Sequence, residues 1–220
     1  MLETPDRRER KKRRTRALIR ETALELFASA GYDATTIKAI ADAADVAPRT
    51  VTLHFPAKED MLALDDPFGP ESLATRLAAR GDGETALAAL RDWMITTIRA
   101  IEEGDPEEAR RFWRLRALRA QVIADDEALR GRTRASYVKA ERVLAAALGA
   151  DLGLPPTALV PRLAAQAAVT GLREVYEADE ARTAGPEPRA ADLVPLVDRV
   201  IEFVHAGLAA VRGLPRGRPT

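Results

Sequence analysis

Between residues 15 and 55 the apolar positions form three short helical series with punctuation between them. In "ALIRETALELFASAGYD", Ile19, Ala23, Leu26, Phe27 and Ala30 recur at helical spacing on one face, and Gly31 stands where a left-handed helix end belongs. The spacing predicts a helix over 15–30. Thr35 or Thr36 offers a capping oxygen to a second helix, whose apolar positions Ile37, Ile40, Ala41 and Ala44 share a face and carry it to about residue 43. Asp45-Val46-Ala47 then reads as a tight turn. Pro48, whose missing N–H costs nothing at a first helical position, starts a third helix through Val51 to His54. Helices this short are marginal in isolation, so the two pieces must be propped on the longer one. Such an arrangement lets the third helix project, and a major groove about 12 Å wide admits one helix.

Downstream the pattern remains helical. A fourth helix begins at Lys58 in "KEDMLALDD" and ends or kinks at Pro67-Phe68-Gly69-Pro70. Further helices are expected over 71–80, 84–103, 106–124, 126–149, 157–181 and 191–212, with a loop at "GPEPRA" and a frayed end at "LPRGRPT". No strand pattern competes and no internal repeat occurs. The expected fold class is all-α, with an N-terminal three-helix domain and a larger C-terminal helical domain. The segments are a flexible basic arm (1–14), the three-helix domain (15–60), the larger domain (61–213) and a flexible tail (214–220). Two narrow seams stand out in the larger domain. Val197, Ile201, Val204, Leu208 and Val211 form one; Ala164, Ala168, Gly171, Val175 and Ala178 form the other. Both suit helices packed nearly parallel, inside the chain or between two copies.

Composition narrows the function classes. A 46% apolar share over 220 residues supplies a packed core, no run is long enough for a membrane span, and the N-terminus lacks the apolar segment of a secretory signal. A cytoplasmic protein is expected, without a membrane partner. The absence of cysteine removes disulfides and thiolate metal sites. Net charge is zero, but residues 1 to 16 hold eight basic against three acidic side chains. Such a run is a solvated tail, or an arm that tracks a nucleic-acid backbone or enters a minor groove. The two histidines, His54 and His205, lie far apart in the chain, and none of Ser29, Ser72 and Ser136 has a nucleophile-elbow setting. No metal-ligand spacing and no Gly-rich loop after a strand occurs, so neither an enzyme nor a cofactor or metal is expected.

The stretch "GYDATTIKAIADAADVAPRTVTLHFPAKEDML" resembles the DNA-binding segment of the TetR/AcrR-type one-component bacterial transcriptional regulators. The likeness rests on Gly-aromatic, Thr-Thr, Ile-Ala, a turn before a Thr-hydrophobe pair, His-Phe, then Lys-Glu and a hydrophobe, and it covers residues 15 to 64. Three positions depart from the pattern: Asp45 replaces a turn Gly, Ala47 a capping Ser, and Thr52, followed by Leu53, a Tyr. The resemblance implies a helix-turn-helix domain that grips double-stranded DNA, with a C-terminal ligand-binding and dimerisation domain.

It assigns Pro48, Arg49 and Thr52 to the base-facing side of the third helix. Arg49 could donate two parallel bonds to a guanine, or serve as a phosphate contact or a solvated arginine. Thr36, Lys38, Thr50, His54 and Lys58 fall at phosphate-contacting positions, His54 being alternatively a packed brace. Val46, Val51 and Phe55 belong to the small core. The resemblance also implies a homodimer through the last two helices, a near-palindromic operator, and a small hydrophobic or aromatic effector. The pocket candidates are Trp93, Phe112, Trp113, Arg116, Tyr137, Glu141 and Tyr176, with internal core as the competing role for each aromatic. An inward Arg116 would require an anion from the protein or the ligand. The function implied is a dimeric transcriptional repressor released from its operator by the effector. The alternative is a non-specific architectural DNA-binding protein, which would lack preference for one palindrome.

Overall fold

The computed structural model describes residues 7–62, 66–180 and 190–212, and among them every regular element is helical. The chain divides into two compact units: Met1–Asp66 with Arg114–Arg130, and Pro67–Trp113 with Gly131–Thr220. The first unit is thus larger than the expected 15–60 segment, because a distant stretch of chain completes it.

In that first unit, α1 (Arg7–Ala30) carries α2 (Ile37–Ala43), α3 (Pro48–His54) and a 3₁₀ turn (Lys58–Leu62). The end of α6 (Pro106–Ala124) and the start of α7 (Glu127–Leu152) close it. Ile19, Leu24, Phe27, Ile40, Ala41, Val51, Phe55 and Met61 form its core, and Val122 and Leu129 fill the side that α1–α3 leave open. In α1 it is Leu24, not Leu26, that is fully enclosed; Leu26 only packs on the rim. The start of α1 differs from expectation, since the basic segment is helical from Arg7 onward. Its Arg and Lys residues are good helix formers, no Gly or Pro interrupts them, and Arg13 pairs with Glu9 one turn away at 3.7 Å. After α3, the expected fourth helix is only the short 3₁₀ turn, tightened by Ala57 N–H donating to Asp60 Oδ2 at 2.9 Å.

The α2–α3 corner is a Schellman motif. Val46 N–H donates to Ala41 O at 3.0 Å and Asp45 N–H to Asp42 O at 3.3 Å, with Asp45 left-handed at φ 51°. Thr36, not Thr35, caps α2, accepting from Ala39 N–H at 3.0 Å. Thr35 turns inward and donates to Gly31 O at 2.8 Å. At Ala47 no side chain caps α3, and Pro48 begins it.

The second unit holds α4 (Pro70–Ala78), α5 (Ala86–Glu102), α8 (Leu159–Glu180), α9 (Ala190–Arg212), the beginning of α6 and most of α7. Helix α9 packs on both α5 and α8. Charge pairs pin the layers: Arg91 to Asp198 at 2.6 Å and Arg80 to Asp151 at 2.8 Å. Most of the two small-residue and valine seams is internal. Val197, Ile201 and Val204 are buried within this unit together with Ala164, Ala168 and Val175. A Cβ on Gly171 would lie 2.9 Å from Val200 Cγ1, so that glycine is what lets α8 approach α9. The expected dimer seam is therefore core, because α8 and α9 use these faces on each other. What they leave outside is another strip, Leu159 and Leu163 on α8 and Phe203 on α9, while Val211, the last position of the valine seam, is also exposed. The Ala178 and Tyr176 side chains, residues 181–189 and residues 213–220 lie outside the described residues. No helix among the described residues is long and apolar enough to cross a membrane.

Candidate nucleic-acid interface

Helix α3 is anchored by two residues on one side. Val51 and Phe55 are both fully buried, while Pro48, Arg49, Thr52 and Leu53 are exposed on the opposite side. One turn separates Arg49 from Leu53, so they share a face. Arg49 is therefore free of the core and placed near the start of a projecting helix. The Thr52 hydroxyl donates back to Arg49 O at 3.2 Å. With its one O–H so used, Thr52 presents an acceptor rather than a donor on the outer face.

The flanking groups divide into carriers of outward donors and internal braces. Thr36 accepts its capping bond, which leaves its O–H available to a phosphate. Lys38 pairs with Asp42 at 2.6 Å, but both side chains are mostly exposed. An exposed pair of this kind contributes only about 0.3–0.5 kcal/mol, so exchange for a phosphate costs little. Thr50 is half-buried on α3. Lys58 behaves differently from expectation: its ammonium donates to Tyr32 O at 2.6 Å and Thr35 O at 3.3 Å and sits 4.0 Å from the Tyr32 ring centroid. It closes the α1–α2 corner. Two of its three N–H donors are spent on those backbone carbonyls, so Lys58 serves as an internal brace rather than an outward phosphate donor.

His54 combines both roles. Its carbonyl accepts from Arg16, whose guanidinium lies 4.2 Å from the Phe55 ring centroid. Burial, followed by the charges of Arg16 and Lys12, holds the imidazole below its ordinary value of about 6.5. The ring is thus neutral at pH 7 and can give a phosphate a hydrogen bond but no charge.

The ligand candidates separate in the same way. Phe68, Trp93, Phe112 and Trp113 form one aromatic cluster in the second unit, with Phe68 6.0 Å from Trp93 and Phe112 5.1 Å from Trp113 between ring centroids. Trp93 Nε1–H donates to Ser72 Oγ at 3.1 Å. Tyr137 packs against the same core, and the Arg173 guanidinium lies 5.6 Å from its ring centroid. Glu141 is half-buried one turn further along α7. Arg116 does not join them. It pairs with Asp66 at 2.7 Å within the first unit, so the anion it requires comes from the protein. Arg116 leaves the ligand set on that ground.

Comparison with known families settles the class. Residues 19–64 match the family model described as bacterial regulatory proteins of the tetR family, and residues 84–209 match the MftR C-terminal domain. The chain belongs to the tetR family of bacterial regulatory proteins. A curated relative, the HTH-type transcriptional regulator TcmR of Streptomyces glaucescens, is 32% identical over an alignment of 157 residues that covers 67% of this chain and 66% of TcmR. The chain thus matches just under two thirds of that relative's length. Among solved structures, SmeT, the repressor of the Stenotrophomonas maltophilia efflux pump SmeDEF, has a TM-score of 0.57 at 19% identity, over 93% of this chain and 96% of that one. SmeT in complex with triclosan gives the same TM-score, 0.57, at 21% identity, over 94% and 97%. NalD, the secondary repressor of the MexAB-OprM pump in Pseudomonas aeruginosa, also scores 0.57, at 20% identity over 88% and 96%.

For this tetR-family chain, sequence reasoning missed the residues that hold the head together. Arg114 reaches both Glu21 and, at 2.7 Å, Glu25; Arg119 Nε donates to Leu62 O at 2.7 Å. These partners lie dozens of residues away along the chain, so no local pattern could announce them. Arg16 left a fainter signal. It sits four residues before Arg20, which is buried on the Ile19–Ala23 face with its guanidinium also near Phe55, at 5.7 Å.

Proposed function

We propose that this regulator is a repressor that binds a near-palindromic operator as a homodimer and is released by a hydrophobic or aromatic effector. The observation that carries it is the reading face of α3, held outward by the fully buried Val51 and Phe55 on its other side. Pro48, Arg49 and Thr52 are its base-facing residues. Thr36, Lys38, Thr50 and His54 position it on phosphates, assisted by the seven cations between Arg7 and Arg14.

The dimer contact is assigned to the outward strip on the last two helices. Phe203 is 73% exposed and Leu163 53%, and both stand on helices whose other faces are already used. Large apolar side chains gathered on two adjacent helices are expected to be covered in the working assembly. Twofold pairing then presents two reading helices to successive major grooves on one DNA face, which is why the operator should be near-palindromic.

The effector is assigned to the cluster of Phe68, Trp93, Phe112 and Trp113, with Tyr137, Glu141 and Tyr176 as further candidates. SmeT binds triclosan, a precedent for an aromatic ligand in this fold. An effector that drives the population from 1:99 to 99:1 must prefer the released state by about 5.5 kcal/mol. The protein would act in the cytoplasm, where the DNA is.

The test is selection of duplex DNA from a random pool with the purified chain, followed by competition. A regulator should prefer one palindrome over random duplex by about 10³-fold or more. Arg49→Ala should relax the preference at one base position by about 1–3 kcal/mol without unfolding the protein. Equal binding to every competitor would defeat the proposal in favour of non-specific binding.

A further inference from the structure

Leu53 is the most exposed large apolar side chain among the described residues, at 80%. Its place on α3 is what matters. Successive residues turn by about 100°, so Leu53 points almost directly away from the bisector of Val51 and Phe55, both fully buried. The helix cannot roll to hide it without extracting two core anchors. The C-terminal end of α3 is held as well, since the His54 carbonyl accepts from Arg16. Leu53 is thus fixed outward, one turn beyond Arg49 and beside Thr52, on the exposed side of the helix that carries the residues assigned to DNA.

In a major groove, the surface a leucine can recognise is the C5-methyl group of thymine, the one apolar group that the base pairs present there. We propose that Leu53 reads a thymine methyl, so that an apolar contact and the Arg49 hydrogen bonds together set the operator sequence. The inference rests on the DNA-reading assignment of α3. Continuity with that face selects DNA over a protein partner, because a partner on Leu53 would also have to cover Arg49 and Thr52. A helical turn rises 5.4 Å and a base step about 3.4 Å, so the thymine lies within about two base pairs of the guanine read by Arg49.

The test replaces thymines of the selected operator one at a time by deoxyuridine, which deletes the methyl and keeps every hydrogen bond. For the full chain, one position per half-site should weaken binding about 4-fold, the equivalent of roughly 0.8 kcal/mol per buried methyl group. Substituting both half-sites should multiply the loss to about 16-fold. For Leu53→Ala the thymine and deoxyuridine duplexes should bind alike, while thermal unfolding stays at the wild-type temperature because so exposed a side chain contributes little to the core. The proposal is overturned if no thymine is sensitive, or if Leu53→Ala retains the full deoxyuridine penalty. Failure to select any operator would instead defeat the DNA-reading assignment beneath it, and the two failures are distinct.

Discussion

Replacing Asp45 should stabilise the head, and the size of the gain follows from one backbone angle. Asp45 occupies the position after the α2 cap at φ 51°, where the Schellman bond from Val46 N–H to Ala41 O requires a left-handed residue. That conformation costs an ordinary L-residue about 1–2 kcal/mol, and Asp less because its short polar side chain tolerates it. Glycine removes the strain but adds unfolded-chain freedom worth about 0.5–1 kcal/mol, so Asp45→Gly should gain about 0.5 kcal/mol from the backbone. The carboxylate also stands at the negative end of α2, an unfavourable placement worth about 0.3–0.5 kcal/mol at low salt. Asp45→Asn isolates this second term, since Asn keeps the shape and the left-handed tolerance without the charge. Asp45→Ala also loses the charge but must carry the full strain. The expected order is Gly, Asn, then Ala, with Gly about 1 kcal/mol above Ala. In a chain of 220 residues that difference is a Tm separation of about 2–4 °C, readable by circular dichroism. The gain from Asn over Asp should shrink in 1 M salt, while the separation of Gly from Ala should not. If Gly were no more stable than Ala, the left-handed assignment and the Schellman reading of this corner would both be wrong.

Three further outcomes follow from the same structure. Because the His54 pKa is depressed in the folded state, its contribution to stability is complete above about pH 6.5 and drains away as the pH falls through the lowered value. Urea midpoints should therefore decline below pH 6.5 in the wild type and decline less in His54→Gln. Neutralising Arg8, Lys11, Lys12 and Arg14 together to Gln should flatten the dependence of log affinity on log salt by about 0.9 for every phosphate they no longer neutralise, with the ranking of operator variants preserved; an unchanged slope would exclude the helical arm from the complex. Phe203→Glu should convert a dimer to a monomer in sedimentation, with its thermal unfolding otherwise near wild type, whereas a retained dimer would move the interface off the α8–α9 strip.

The head was largely legible because its determinants are short-range. Gly31, Thr36, Asp45 and Pro48 act on backbone groups within a few residues, so their capping and turn chemistry can be read along the chain. The all-helical class and most element ends followed from periodicity in the same way. Arg49 and Thr52 could be placed on the outer face once Val51 and Phe55 were recognised as core, since a helix fixes which side is left.

Only the tertiary structure could decide what lies across from a residue. The valine and small-residue seams have the same spacing whether they meet a helix of their own chain or of a partner. The fold joins them to each other and turns Phe203 and Leu163 outward. Arg116 needed an anion, but its sequence could not say that Asp66, 50 residues earlier, supplies it. Lys58 looks like a surface cation until the chain bends it onto the Tyr32 and Thr35 carbonyls. Helical periodicity encodes which face is apolar. Partner identity depends on contacts between distant segments, and these exist only once the chain has closed on itself.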